Sequence, residues 1–248
     1  MSREQDLIQQ EFGRAARSFA RRTIGRFDHM PVVQFSRVAR DETVVEVGVG
    51  TGNFLGLFAR HAARLVGIDL TSEMLTEART GHPEVALVAG DGRSIPLRSS
   101  SIDLMTSAQM LHHVSEPLPI LIEMRRVTRL EGRVLIVDQV ATENLGEAMA
   151  MNELDLLRDP SHAMCRPPSA FRILVLAAGL EIEDERVVES HERLSSWMTP
   201  EEFAEERIEA VRAFIATRGG ETGMEWTRDG DDWTYTRRRL MLLARRAR

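Results

Sequence analysis

The sequence predicts an α/β protein built on a doubly wound, mostly parallel sheet. Short apolar stretches alternate with stretches whose apolar residues recur at helical spacing, which is the order of repeated strand–helix–strand units. The first apolar stretch, residues 43–47, ends in glycines at positions 48, 50 and 52. Such a turn lets a ligand approach the backbone closely, because glycine has no Cβ.

The predicted elements of the first half alternate regularly. Residues 3–40 are expected to form helices, the second of which begins at Pro31. The first strand is followed by a predicted helix over 53–61 and by a helix from Thr71 or Ser72 to Ala78. Another helix is predicted over 117–130. The further predicted strands lie at residues 64–70, 85–89, 102–107 and 133–138.

The second half is less regular. Gly179 stands at a position where helix C-termini favour glycine. No linker-like or low-complexity segment interrupts the chain, so residues 1–248 are expected to form one domain. Helices are predicted over 147–158, 169–178 and 200–217, and strands over 180–189 and 233–243.

Composition and charge narrow the classes of function. The net charge of -6 argues against nucleic acid as a partner. The chain contains no lysine, which excludes a P-loop lysine, a Schiff-base lysine and a lysine general base. One cysteine, a polar start and no apolar run of membrane-spanning length together predict a cytoplasmic protein. The arginine-rich stretches 237–239 and 245–248 are expected to form a solvated strand edge and tail.

Four predicted strand ends carry polar or glycine residues: the turn 48–52, Asp69, Asp91 and residues 107–113. In doubly wound sheets ligands bind beyond the carboxyl ends of the strands, so these residues are expected to share one crevice. A dinucleotide turn requires G-x-G-x-x-G, and Asn53 stands where its third glycine would be. The turn therefore suits a smaller ligand, and a nicotinamide-dependent oxidoreductase is the less favoured alternative.

The motifs after the predicted strands run over residues 46–52, 67–75, 90–97, 101–104 and 111–127. Together they resemble the class I S-adenosylmethionine (SAM)-dependent methyltransferases, in the ubiquinone/menaquinone-methyltransferase-like branch (methyltransferase domain 11/25 type). The resemblance covers residues 43–138. One departure is the turn before the fifth strand, where residues 130–132 read Leu-Glu-Gly instead of Pro-Gly-Gly.

The resemblance implies a Rossmann-like sheet of seven strands with an antiparallel last strand. It implies a SAM-binding core over 41–140, an N-terminal helical cap over 1–40, a lid over 142–166 and the rest of the sheet over 167–248. The implied activity is a methyltransferase (EC 2.1.1.-) that passes the methyl group of SAM to a small-molecule acceptor by direct in-line displacement and releases S-adenosylhomocysteine. No metal, nucleic acid or integral membrane segment is expected, and the protein is expected to be a monomer or homodimer.

The resemblance also implies which residues contact the cofactor. Asp69 is expected to accept hydrogen bonds from both ribose hydroxyls, Leu70 to lie against adenine, and Asp91 to accept from the adenine amino group. The implied cofactor-binding residues are Glu46, Gly48, Gly50, Thr51, Gly52, Asp69, Leu70, Asp91, Gly92, Gln109 and Met110.

Three histidines are candidates for proton transfer, because the pKa of histidine lies near neutrality: His112, His113 and His162. The structural alternative is that they orient their loops by hydrogen bonds. His112 and His113 are adjacent and have no third ligand nearby in sequence, so no metal site is predicted. Phe12, Phe19 and the tryptophans are expected to be packing residues. A non-catalytic binding protein with the same fold remains the second alternative.

Overall fold

The computed structural model describes residues 3–199 and 203–246. The strands are β1 (Thr43–Val47), β2 (Arg64–Asp69), β3 (Ala86–Ala89), β4 (Ile102–Ala108), β5 (Thr128–Gln139), β6 (Glu181–Arg193), β7 (Thr227–Asp229) and β8 (Asp232–Arg245). The helices are α1 (Arg3–Arg22), α2 (Val32–Ser36), α3 (Ser72–Gly81), α4 (Leu118–Val127), α5 (Leu145–Arg158), α6 (Pro168–Ala177), α7 (Leu194–Trp197) and α8 (Glu205–Arg218).

All eight strands belong to one sheet, in the order β3-β2-β1-β4-β5-β8-β6, with β7 paired to β8. Strands β1 to β5 run parallel, whereas β8 is antiparallel to both β5 and β6. The predicted fold class is confirmed, including the antiparallel last strand. The three-residue β7 is an addition, formed where the chain turns back at Gly230 to pair with the start of β8.

The centre of the sheet is buried on both faces, as expected for parallel strands covered by helices. Along β5, Val134 and Ile136 belong to one apolar cluster, while Leu135 and Val137 belong to the cluster on the opposite face. This alternation follows from the period of two in a strand. The last residue of β5, Gln139, lines the larger of the two cavities described below, and Asp138 beside it contacts a lining residue.

A third apolar cluster lies under the second half of the chain. It includes Leu154 of α5, Val211 of α8 and Tyr235 of β8. Helix α5 begins after Asn144, whose side chain accepts a hydrogen bond from Glu147 N at 3.2 Å and so caps the helix. This cluster packs together the elements of the second half of the chain that face the carboxyl ends of the parallel strands.

Three predicted helices have different bounds in the structure. The predicted helix over 53–61 is only a 3-10 turn, Leu55–Phe58. Gly56 lies so close to the His82 ring that a Cβ would stand 2.4 Å from its Cε1, and glycine disfavours a regular helix. Helix α4 ends at Val127 because β5 begins at Thr128. Helix α8 begins at Glu205, and positions 200–202 of that prediction lie outside the described residues.

The prediction of a solvated edge at residues 237–239 is wrong. The Arg237 and Arg239 residues of β8 are only 2% and 5% exposed, because Arg237 lies against α5 and α7 and Arg239 lies against side chains at the end of β6. Arg238 points to the opposite face and pairs with Glu189 and Glu225. Among the described helices, none is long and apolar enough to cross a membrane.

Candidate active site

The glycine turn after β1 has a left-handed backbone. Gly48 and Gly50 have φ of 72° and 52°. The amide nitrogens of Gly48 and Val49 donate to Ile68 O at 2.8 and 3.0 Å, which ties the turn to the end of β2. A Cβ on Gly48 would lie 2.4 Å from Met110 Cγ, whereas Gly50 has open space on that side. The Gly50 backbone therefore faces a cavity.

Asp69 closes this turn from the end of β2. Its Oδ2 accepts from Gly50 N at 2.7 Å, and its Oδ1 accepts from Thr71 N at 2.8 Å, at the start of α3. Burial raises the pKa of this carboxyl, against the hydrogen bonds from Thr71 and Gly50. Each carboxylate oxygen keeps a further lone pair for a ligand.

Glu46 is a buried acid next to the turn. Its Oε2 has no hydrogen-bond partner among the described residues, although it is shielded from solvent. Burial and the nearby charge of Asp69 raise the pKa of the Glu46 carboxyl well above its ordinary value. An unpartnered buried oxygen is costly, and a ligand that donates a hydrogen bond or carries a positive charge would remove that cost.

Asp91 lies on the opposite side of the crevice and already has protein partners. Its Oδ2 accepts from Gln5 Nε2 of α1 at 2.6 Å, and its Oδ1 accepts from Arg93 N at 2.9 Å. Helix α1 also reaches the loop after β2, where Gln9 Nε2 donates to Leu70 O at 2.9 Å. The N-terminal helix therefore covers the end of the crevice where adenine was predicted.

Ten of the eleven predicted cofactor residues line one cavity of about 140 Å³. The exception is Gly52, which packs against His82 in the loop after α3. Phe12 and Phe19 of α1, predicted to be packing residues, also line this cavity. The lining residues that belong to the predicted set are Glu46, Gly48, Gly50, Thr51, Asp69, Leu70, Asp91, Gly92, Gln109 and Met110.

A larger cavity, of about 570 Å³, adjoins the first. Both cavities are lined by Phe12, Phe19, Arg26, Gln109 and His113, so they meet at these residues. Gln109 stands at the junction with φ of 53°, an uncommon value for a residue other than glycine, and its Nε2 is buried without a described partner. A strained residue with an unpartnered amide is typical of a ligand site.

His112 is held by a buried carboxylate at the end of β5. Its Nδ1 lies 2.6 Å from Asp138 Oδ1, and Asp138 also accepts from Leu111 N at 2.7 Å and Gln139 N at 2.8 Å. Burial raises the pKa of Asp138 to about 6, and burial together with His113 lowers the pKa of His112 well below its ordinary value. At neutral pH the network assigns an ionised Asp138 and a neutral imidazole with its proton on Nδ1. Nε2 is then the nitrogen available in the larger cavity.

The structure brings the three predicted histidines together. The rings of His112 and His113 have centroids 4.1 Å apart, and those of His112 and His162 are 5.9 Å apart. His113 Nδ1 lies 3.1 Å from Ser161 O, and His162 Nε2 lies 2.8 Å from Asn152 Oδ1. His113 and His162 are therefore bound to the segment after β5, and His112 is bound to the sheet.

One group of possible metal ligands occurs in the described residues. Asp155, His162 and Cys165 are buried, and their ligand atoms lie within 4.8 Å of one another. The Arg237 guanidinium, however, lies 3.3 Å from each Asp155 oxygen. A cation bound by Asp155 would stand next to that fixed positive charge, so the arrangement is an ion pair and a poor metal site.

Several residues of the larger cavity were missed by the sequence analysis. Asp138, which contacts the lining residue His112 without lining the cavity itself, ends a predicted strand, and the rule applied to the first four strand ends would have found it. Arg237 and Arg239 are two apart on one strand, which places them on one face. Arg158 and Trp197 carry no local signal, because their position at the cavity depends on α7 packing against β8 and on the contact of α5 with β8 through Asp155 and Arg237.

Comparisons with known proteins agree with this geometry. Residues 45–136 match the model of a methyltransferase domain family. The uncharacterised methyltransferase YcgJ of Bacillus subtilis is 28% identical in sequence over 158 residues, which are 62% of each chain. The crystal structure of YcgJ superposes on this chain with a TM-score of 0.81 and 21% identity, covering 87% of this chain and 96% of that one. Residues 45–136 belong to this methyltransferase domain family. The resemblance seen in the sequence motifs is thereby confirmed.

One further relative in sequence and one further solved structure of the same fold are also similar to this chain. Demethylmenaquinone methyltransferase of Beutenbergia cavernae is 33% identical over 97 residues, 39% of this chain and 40% of that protein. Phosphoethanolamine N-methyltransferase 2 of Haemonchus contortus, in complex with SAM, has a TM-score of 0.60 at 15% identity, over 89% of this chain and 52% of that one. The chain matches less than two thirds of the length of its relatives in sequence.

Proposed function

We propose that this methyltransferase transfers the methyl group of SAM to a small-molecule acceptor that binds in the larger cavity. The observation that carries the proposal is the junction of the two cavities at Phe12, Gln109 and His113. One cavity is lined by the residues implied to bind SAM, and the other has room for a second molecule. Relatives with different named acceptors match the chain only in part, so they do not select the acceptor.

The residues around the smaller cavity suit SAM. The methionine end of SAM carries an ammonium and a carboxylate, and this cavity offers the unpartnered Glu46 oxygen and the unpartnered Gln109 amide nitrogen. The adenosine end carries a ribose diol and an amino group, which match the carboxylates Asp69 and Asp91. The amino group would share Asp91 with Gln5 or displace it.

We assign proton acceptance to His112. Bound SAM supplies a methyl group on a sulfonium, so the protein has to orient the acceptor and remove its proton where it has one. Asp138 keeps the proton of the imidazole on Nδ1 and leaves the Nε2 lone pair free. A neutral histidine held in one tautomer can act as a general base near pH 7. His113 is assigned the role of fixing the lid to the loop after β4, and His162 that of bracing the lid internally through Asn152.

We further propose that α1 and the segment 142–166 exclude water from both cavities. Glu4 Oε1 accepts from Ser115 N at 2.7 Å, and Glu4 Oε2 pairs with Arg93 at 2.5 Å, which fastens the start of α1 over the crevice. Arg166 donates to Leu111 O and Val114 O, which fastens the end of the other segment to the loop after β4. Both covers would have to open for exchange of SAM.

The test is calorimetric titration of the protein with SAM, with S-adenosylhomocysteine and with NADH. We expect binding of the first two and none of NADH. Asp69→Ala should weaken both by about tenfold or more, which corresponds to about 1.4 kcal/mol, because a ligand loses a charged acceptor. Asp41→Ala, on the exposed loop before β1, is the matched control. A folded protein that binds neither compound would contradict the proposal, and unchanged affinity in Asp69→Ala would remove Asp69 from the site.

A further inference from the structure

The larger cavity has an excess of positive charge, although the chain as a whole has a net charge of -6. Among the described residues, seven arginines and four carboxylates line it. Two of the arginines are paired at the rim: Arg14 lies 2.8 Å from Glu11, and Arg193 lies 3.7 Å from Asp232. The arginines that decide the character of the cavity are those of its interior.

Three interior arginines each have a carboxylate partner, but these partners only partly neutralise the positive charge of the three guanidinium groups. Arg237 pairs with Asp155 at 3.3 Å, and Arg239 pairs with Glu192 at 2.5 Å. Arg158 has only a long contact, 3.9 Å from Asp159. Asp159 is at the same time bound by the backbone nitrogen and the hydroxyl of Ser161, at 2.9 and 2.6 Å.

Arg26 makes no ion pair with a carboxylate of the described residues. Its guanidinium lies 5.3 Å from the centroid of the Phe19 ring, where the two cavities meet. Burial and the like charges of Arg22 and Arg239 lower the pKa of Arg26 to about 9. Like charges forced together in a shielded space are costly, and an anion bound between them would remove that cost.

The interior arginines are also shaped to receive a planar or tetrahedral oxyanion. The Arg158 guanidinium lies over the rings of Trp197 and Phe203, at 5.1 and 5.0 Å, so its plane is held by aromatic contacts. Guanidinium groups match carboxylates and phosphates with paired hydrogen bonds, and a group already oriented loses less entropy on binding.

On the basis of the function proposed above, we propose that the methyl acceptor carries an anionic oxygen group, either a carboxylate or a phosphate. This group binds among Arg26, Arg158 and Arg239. The rings of Phe12, Phe19 and Trp197 would contact its organic part. The anionic group fixes the orientation of the acceptor, while its methyl-accepting atom lies toward the junction at Gln109 and His113.

The experiment uses the full chain saturated with S-adenosylhomocysteine, so that the carboxylate of the cofactor product already occupies its own site. Calorimetric titrations with inorganic phosphate, benzoate and the neutral benzamide are made at low ionic strength, where charge interactions are least screened. Each is repeated with Arg26→Gln, Arg26→Lys and Arg158→Gln. Arg21→Gln is the matched control, because Arg21 is exposed on the last turn of α1 and lines neither cavity. Thermal unfolding verifies that each variant is folded.

We expect benzoate or phosphate to bind at least tenfold more tightly than benzamide, and whichever binds identifies the kind of anion. Arg26→Gln and Arg158→Gln should each weaken that binding at least tenfold, Arg26→Lys should weaken it less, and Arg21→Gln should leave it unchanged. Equal binding of benzamide, or no anion binding in the presence of bound S-adenosylhomocysteine, would overturn this inference alone. So would an Arg26→Gln variant that loses affinity for S-adenosylhomocysteine only. Failure of S-adenosylhomocysteine itself to bind would contradict the proposed function and this inference with it.

Discussion

Replacing Asp138 by asparagine tests whether the carboxylate at the end of β5 sets the state of His112. The carboxylate accepts three hydrogen bonds, from Leu111 N, His112 Nδ1 and Gln139 N, at 2.7, 2.6 and 2.8 Å. An asparagine side chain has a single acceptor oxygen and presents an amide NH₂ on the other side. At least one of the three donors therefore loses its acceptor in Asp138→Asn.

We expect the amide oxygen of Asn at position 138 to turn toward Leu111 N, because a backbone amide cannot change its proton whereas an imidazole can exchange tautomers. The NH₂ group would then donate to His112 Nδ1, and the imidazole proton would move to Nε2. Gln139 N would lose its partner, but Gln139 is half-buried and its amide can reach water. One such donor costs about 1–2 kcal/mol, and at about 2–4 °C per kcal/mol the midpoint of thermal unfolding should fall by roughly 2–8 °C.

The measurement is a long-range ¹H–¹⁵N correlation spectrum of the histidine rings, with His112 assigned by its loss in His112→Gln. In the wild type we expect a neutral His112 protonated on Nδ1 from pH 7 to 8, because burial and His113 lower its pKa and because Asp138, with a pKa of about 6, is ionised in that range. In Asp138→Asn the proton should be on Nε2, with S-adenosylhomocysteine affinity unchanged. Asp103→Asn, a carboxylate that binds Thr43 N at the other end of the sheet, is the control. An unchanged tautomer in Asp138→Asn would refute the assignment of His112 as a base held by Asp138.

Two further predictions concern stability. Burial raises the pKa of Glu192, but the charges of Arg239 and Arg237 hold it at about 2. Because this pKa is lower than in the unfolded chain, the wild type should lose about 3 kcal/mol of unfolding free energy as pH falls from about 4.5 to 2. Glu192→Gln should flatten that slope in urea titrations, and an equal slope in both proteins would contradict the pairing. Gly48→Ala should destabilise by about 2–4 kcal/mol, since a Cβ at φ of 72° would also meet Met110 at 2.4 Å. Gly81→Ala, with open space at its Cβ, is the control in thermal unfolding, and equal midpoints would refute the argument.

Local sequence patterns were sufficient to predict residues that line the smaller cavity. Gly48, Gly50 and Asp69 could be predicted because a turn after a strand and an acid at the next strand end depend on a few neighbouring residues. The parallel sheet then brings these ends together, as the register of β1 with β2 shows. The predicted helix over 53–61 failed because its conformation depends on the contact of Gly56 with His82, which lies outside the local pattern.

The sequence by itself determined the fold class, the order of the strands in the first half, and ten of the residues that line the smaller cavity. These follow from periodicity, glycine conformation and the common edge of parallel strands, all of which are local or topological. Only the tertiary structure decided the character of the larger cavity. Arg237 and Arg239 are buried because β8 enters the sheet between β5 and β6, and because α5 and α7 contact Arg237 while the end of β6 contacts Arg239. An alternating charged strand has the same sequence pattern whether its polar face meets water or other chain segments. Its sequence alone therefore does not tell whether the arginines are exposed or buried.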